Sequence, residues 1–199
     1  MPKKIETNKM EDFHAVTPLQ GATIAGTGVN ICVREGLAIA QLFAKSGQGA
    51  KVERLLKIKG VPSVASSVND VIALPLSPDQ WLLISEKETN DNLSKRIGKK
   101  ISKYGHVSEQ SDGRVCIRIS GLKARELMAR GCRLDLHPSV TQSGFCAQTI
   151  MAQVGVIVHQ VDEDPTYDLY VLSGFAHSFW HWLNQTSEQF NSSSPSVSR

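Results

Sequence analysis

The sequence predicts an α+β protein of two similar lobes, each built from antiparallel hairpins with helices packed on one face. Three observations carry that expectation. Apolar residues alternate, or run together, over lengths suited to strands. Glycine, proline and aspartate punctuate these runs at turn spacing. Helical patterns fall between pairs of strands, in the order β-β-α repeated along the chain. A parallel doubly wound sheet would need a helix after nearly every strand, so that class is set aside. The two halves resemble each other in this pattern only, with no repeat of sequence.

The expected divisions are a flexible arm and loop over residues 1–28, a first lobe over 29–105, a second over 106–190, and a Ser-rich disordered tail over 191–199. Charged residues from Lys3 to Asp12 open the chain without an apolar stretch, and residues 17–28, with Pro18, Gly21, Gly26 and Gly28, read as loop. Gly26-Thr27-Gly28 lacks the third glycine and the strand–helix setting of a dinucleotide fingerprint, and no phosphate-loop lysine follows a glycine run. From Val29 to Lys45 two strands are expected around Arg34-Glu35-Gly36, the second apolar on both faces and therefore central.

Gly47 to Lys59 carries Val52, Leu55 and Leu56 at helical spacing, with Gly60 and Pro62 as stops. Val68–Leu76 and Gln80–Glu86 form a hairpin around Ser77-Pro78-Asp79, where proline presets φ and aspartate suits the turn. Thr89 is placed to cap a helix whose Leu93, Ile97, Ile101 and Tyr104 make one apolar stripe. Its other side carries Lys95, Arg96, Lys99, Lys100 and Lys103, which suits a solvated face or an acidic partner.

His106 to Ser111 and Arg114 to Ser120 read as a second hairpin with Asp112-Gly113 as its two-residue turn. Ser120 then caps a short helix with Ala124, Leu127 and Met128 inward, and Gly131 is expected as its left-handed terminator. Cys146 to Val161 is one apolar run, Asp162 to Pro165 a turn, and Thr166 to Leu172 a strand. In the last helix Phe175, Phe179, Trp182, Leu183 and Phe190 gather on one side, with His177, His181 and Asn184 opposite.

Several functions are disfavoured by the residues themselves. A net charge of +3 over 199 residues lacks the concentrated basic footprint of a nucleic-acid binder. Nowhere does the chain reach the roughly 18 apolar residues of a membrane span, and a cytoplasmic protein is expected. Cys32, Cys116, Cys132 and Cys146 are too scattered for a zinc site and suit free thiols. His177 and His181 stand four apart without a third ligand, and Cys146 lacks an evident base, so both are expected to be structural or exposed rather than catalytic. Arg133 and Asp135 flank Leu134 and point to one side if extended, which suits an ion pair or a subunit contact.

One residue series is specific. It runs Leu76-Ser77-Pro78-Asp79-Gln80-Trp81-Leu82-Leu83-Ile84-Ser85, Gln110-Ser111-Asp112-Gly113-Arg114, Ile119-Ser120-Gly121, Gly131-Cys132-Arg133-Leu134-Asp135-Leu136-His137-Pro138, Cys146-Ala147-Gln148-Thr149 and Ser178-Phe179-Trp180-His181-Trp182-Leu183. In this order it resembles the gamma subunits of heterotetrameric sarcosine oxidases, over most of the chain from Val29 to Leu183. Ser77 departs from the glycine common before Pro-Asp in that family, which affects turn detail more than assignment.

The resemblance implies a fold similar to the folate-binding part of the glycine-cleavage T-protein. It also implies membership of a complex that oxidatively demethylates sarcosine to glycine, with hydrogen peroxide and formaldehyde, or methylenetetrahydrofolate, as the other products. Alpha and beta subunits would hold the FAD, FMN, NAD and tetrahydrofolate, a delta subunit the zinc, and this chain no cofactor and no catalytic residue. Arg114, Arg133, Asp135, His137, Trp180 and His181 are the candidate interface residues. Two alternatives stand beside this reading: a folate-binding module using Asp112 or Asp135, and a gamma subunit of a sister complex oxidising another N-methylated amine such as N-methylglutamate.

Overall fold

The computed structural model of the chain describes residues 19–26 and 28–191; the first 18 residues of the arm and loop expected over 1–28, and most of the Ser-rich tail, lie outside the described residues. Among the described residues, eleven strands and four α-helices form four layers, helices on both outsides and two antiparallel sheets between them. The strands are β1 Thr23–Gly26, β2 Val29–Arg34, β3 Ala38–Ala44, β4 Ser66–Val68, β5 Val71–Ser77, β6 Gln80–Ser85, β7 Gly105–Glu109, β8 Arg114–Ser120, β9 Cys146–Met151, β10 Val154–Asp162 and β11 Thr166–Leu172. The helices are α1 Gly49–Leu56, α2 Asn90–Ile101, α3 Ala124–Ala129 and α4 Ala176–Asn191, the last preceded by a 3-10 turn at Ser173–Phe175.

A six-stranded sheet has the order β1-β2-β8-β11-β10-β9, and a five-stranded sheet the order β4-β5-β6-β3-β7. Alternation of side chains assigns each sheet two buried faces. Val115, Ile117 and Ile119 of β8 face Leu127 and Met128 of α3 and Phe179 and Leu183 of α4. Ala40, Leu42, Ala73 and Leu83 face Val52 of α1 and Leu93, Ile97 and Ile101 of α2. Between the sheets, Ile39, Leu74, Leu82 and Ile84 meet Cys116, Ile157 and Tyr170.

The α+β class and the antiparallel sheets with few helices stand as expected, but the pairing differs in an informative way. β2 and β3 do not pair with each other, nor do β7 and β8, so the Asp112-Gly113 hairpin does not form. Instead β2 pairs with β8 and β3 with β7, both antiparallel. Two long arms therefore run side by side from one sheet into the other. Arg34 faces Cys116 before the corner and Ala40 faces Glu109 beyond it, six residues along one arm against seven along the other. The extra residue lies in the segment where Ser111 Oγ accepts the N–H of Ile39 (2.8 Å). Sheet membership consequently does not follow a single cut at residue 105, because β1 and β2 belong with β8 to β11.

Other differences are local. The expected loop before residue 29 contains β1, an edge strand that pairs Thr23 with Cys32. The apolar run from Cys146 divides into β9 and β10 at Ala152 (φ 49°) and Gln153 (φ 65°), a hairpin turn without the usual glycine or asparagine. Lys123, not Ser120, occupies the N-cap of α3, and Thr89 sits at the N-cap of α2 in extended backbone without a side-chain cap bond. Leu55 and Phe175 are exposed rather than inward. Gly131 is not left-handed. Its need for glycine is spatial, since a Cβ there would stand 2.6 Å from Cζ2 of Trp182.

Candidate functional site

Charged residues in the middle of strands converge between the sheets. Strand register sets Cys32 opposite Arg118, Arg118 opposite Asp168, Asp168 opposite His159, and His159 opposite Cys146, a row across the six-stranded sheet. Asp168, with its side chain 1% exposed, accepts Arg118 Nε at 2.7 Å and Nη2 at 2.8 Å, and Arg34 Nη1 at 3.1 Å. Arg34 also donates to Glu86, just beyond β6, and so ties the two sheets together. A buried carboxylate gripped by a bidentate guanidinium and a second arginine is neutralised where it stands.

The titratable groups around it are tuned toward inertness. Burial, then the charge of Asp168, pushes the Cys116 thiol well up. Burial raises the Cys146 thiol to about 11. His159 is lowered by burial against the opposing pull of Asp168. For Arg34, burial works to lower the pKa, but the Glu86 hydrogen bond and the Asp168 charge together hold it raised. Both thiols are therefore protonated at neutral pH and neither is a prepared nucleophile.

A concavity lies at the seam beside this network. A groove of about 730 Å³ opens between β9, the β5–β6 turn and the start of α1. Its floor is Trp81, whose Nε1 donates to the carbonyl of Lys59 (3.1 Å). Gly49 and Gly60 lie against the indole, where a Cβ would stand 3.6 Å from Cη2 and 3.3 Å from Cζ2 respectively. The carboxylate of Asp79 overhangs Gly49, and that of Glu53 overhangs Gly60. Neither carboxylate has a hydrogen-bond or ion-pair partner among the described residues, and no described lysine or arginine lines the groove. Pro62, Pro75, Pro78 and Ala147 supply apolar wall, and Gln148 Nε2 closes one side by donating to the carbonyl of Leu76 (2.7 Å). Such a surface can hold an apolar stem that carries a positive charge.

None of the six candidate interface residues lines this groove. Arg114 begins β8 on the face shared with Cys116 and Arg118; burial lowers its pKa, and its Nε finds no partner among the described residues. Arg133, Asp135 and His137 are exposed between α3 and β9. The expected Arg133–Asp135 pair is absent among the described residues; Asp135 instead accepts the backbone N–H of His137 (2.9 Å), and His137 Nδ1 meets Ser139 Oγ (2.7 Å). A short side chain completing a local turn has outcompeted a solvent-screened ion pair. Trp180 is half-buried against the helical core and His181 is exposed on α4. Asp112 is exposed, and its carbonyl accepts Ser173 Oγ (2.6 Å).

Sequence reasoning missed Arg34, Asp168 and His159 between the sheets, and Glu53 and Asp79 in the groove. A signal existed for Asp168: it and Arg118 are opposite charges set among apolar residues within two strands. No helix among the described residues is long and apolar enough to cross a membrane.

Comparison with known proteins follows the same lines. The sarcosine oxidase subunit gamma of Corynebacterium sp. (strain U-96) is 24% identical over 187 residues, covering 89% of each chain. Among solved structures, heterotetrameric sarcosine oxidase from Corynebacterium sp. U-96 in complex with pyrrole 2-carboxylate matches with a TM-score of 0.76 at 20% identity, over 87% of this chain and 91% of the matched chain. The glycine cleavage system aminomethyltransferase T from Bartonella henselae matches with a TM-score of 0.58 at 13% identity, over 79% of this chain but 46% of that one. These likenesses show the fold, including its likeness to that of the T-protein. Residues 35–189 match the family model of the sarcosine oxidase gamma subunit, and the chain belongs to the sarcosine oxidase, gamma subunit family.

Proposed function

We propose that this chain is a non-catalytic gamma subunit of a heterotetrameric sarcosine oxidase, supporting assembly of a complex that converts sarcosine to glycine. Alpha, beta and delta partners would carry the FAD, FMN, NAD, tetrahydrofolate and zinc. The observation that carries this reading within the family is the state of the buried carboxylate and of the two buried thiols. Asp168 is spent on Arg118 and Arg34, and the Cys116 and Cys146 thiols are held protonated. A general base or nucleophile needs a free lone pair near its working pH.

The test is reconstitution of the complex with and without this chain. Omission should lower the yield or thermal stability of the assembled oxidase, while Cys146→Ala in the assembled complex should leave kcat unchanged. A normally assembled Cys146→Ala complex that had lost turnover would contradict the non-catalytic role. The folate-module alternative fits less well. Two carboxylates and no described basic residue face the groove, a poor match for the anionic tail of tetrahydrofolate, and Asp112 and Asp135 both lie outside it. Choice between sarcosine and another N-methylated amine would be made in the flavin-bearing subunit.

A further inference from the structure

We infer that the groove over Trp81 seats an extended segment of the partner subunit carrying a lysine or arginine, its alkyl stem along the proline-lined wall and its charge between Asp79 and Glu53. The inference rests on reading this chain as an assembled subunit and says where, and with what chemistry, the contact is made.

Charge is the first argument. Asp79 and Glu53 enter the groove from two elements, the β5–β6 turn and α1, and both approach the same indole through a glycine. Several surface carboxylates are paired, Asp91 with Lys95, Glu88 with Arg96, Asp70 with Lys87 and Glu126 with Lys123. The two groove carboxylates are left without a described counter-ion in a concave, partly apolar setting, where a cation is attracted more strongly than on an open surface. Lysine and arginine stems are suited to the prolines and Ala147 while their heads reach the carboxylates.

Shape is the second. β9 is the edge of the six-stranded sheet. The N–H of Cys146 points away from β10 and donates to the carbonyl of Ser63 (3.0 Å). By antiparallel alternation the main-chain groups of Gln148 point the same way, between the Ser63 contact at Cys146 and the bridge from Cys132 to Met151. An incoming extended segment can thus take up ladder hydrogen bonds beyond the loop, as in strand addition. Apolar side chains bracket the path: Val61 is 52% exposed, Val64 41% and Ile150 48%. None of the three lines the groove itself; Val61 and Val64 flank the Pro62-Ser63 stretch of its rim, and Ile150 lies further along β9.

The experiment uses the full complex, coexpressed with its cognate subunits. A photo-crosslinking residue at Ala147 should capture a lysine- or arginine-bearing segment of the partner, while the same probe at Lys99 on α2 should not. The isosteric pair Glu53→Gln and Asp79→Asn, chosen to preserve the turn and helix, should dissociate from the complex about tenfold faster or more. Their isolated melting curves should match wild type. Unchanged dissociation would overturn the inference and leave the subunit reading intact, as would Ala147 crosslinks only to a second copy of this chain. If the wild-type chain formed no complex at all, the subunit reading and this inference would fall together.

Discussion

At the scale of residues, the decisive feature is a carboxylate placed where water cannot reach it. Asp168 costs desolvation energy that Arg118 and Arg34 offset through three hydrogen bonds. Removing its charge leaves the partly buried Arg118 guanidinium without a carboxylate and Arg34 with Glu86 alone, so Asp168→Asn should lose about 3 kcal/mol of stability in denaturant unfolding. Lys95→Ala, which removes a helix-surface pair with both side chains 73% exposed, should change it by less than about 0.5 kcal/mol. His159 adds a pH dependence whose sign is fixed. Its folded pKa is lowered below the ordinary 6.5 by burial, with Asp168 opposing and Arg118 and Arg34 assisting, while Cys146 faces it from β9. Above that value both states are neutral there. Below it the unfolded chain takes up a proton that the folded chain refuses, until the folded pKa is reached. Stability should therefore fall as pH drops below 6.5, by at most about 1.4 kcal/mol per unit from this group. His159→Gln should flatten the profile between pH 7 and 5.5, and an unaltered slope would assign the dependence to other groups.

At the scale of elements, glycine chemistry separates what could be read in the chain from what could not. The β5–β6 hairpin was legible because Pro78 and Asp79, the latter at φ 63°, carry turn chemistry in their own residue types. The stripe of α2 was legible because Leu93, Ile97 and Ile101 repeat at the helical period, and all three are buried. Asp112-Gly113 misled for a physical reason: a turn between two strands specifies a change of direction, and whether the strands pair or enter different sheets depends on contacts far along the chain. The groove acids were illegible for the same reason, since a helix and a turn bring Glu53 and Asp79 together only after Trp81 is packed. Gly131 sharpens the distinction. Gly131→Ala should destabilise by about 1–3 kcal/mol, because the methyl must displace the Trp182 ring. Gly155→Ala, with nothing within 4 Å and ordinary φ, should stay within about 0.5 kcal/mol. Equal unfolding midpoints for the two variants would remove the packing explanation.

At the scale of the molecule, two sheets suggest two folding units, yet the chain is threaded so that neither sheet completes itself from one half. Residues before 105 supply β1 and β2 to the six-stranded sheet, and β7 returns to the five-stranded sheet after α2. The layers also share a core, with Leu74, Leu82 and Ile84 of one sheet against Cys116, Ile157 and Tyr170 of the other, and the Arg34 bridge from Asp168 to Glu86 crosses the same gap. Loss of either sheet would expose that core and unpair both arms at the corner. Unfolding of the isolated chain should therefore be a single cooperative transition. The tryptophans report the layers separately: Trp81 is in the core of the five-stranded layer, while Trp180 and Trp182 pack against that of the six-stranded layer. A Trp81→Phe variant and a Trp180→Phe/Trp182→Phe variant, each corrected for its own stability by circular dichroism, should give fluorescence midpoints coincident with the backbone signal. Separated midpoints would mean that the sheets unfold independently and that the shared core contributes less than the packing within each layer. Coincidence would mean that a contact at the seam groove is felt by both sheets, so that a subunit docked there stabilises the whole chain by mass action rather than one layer of it.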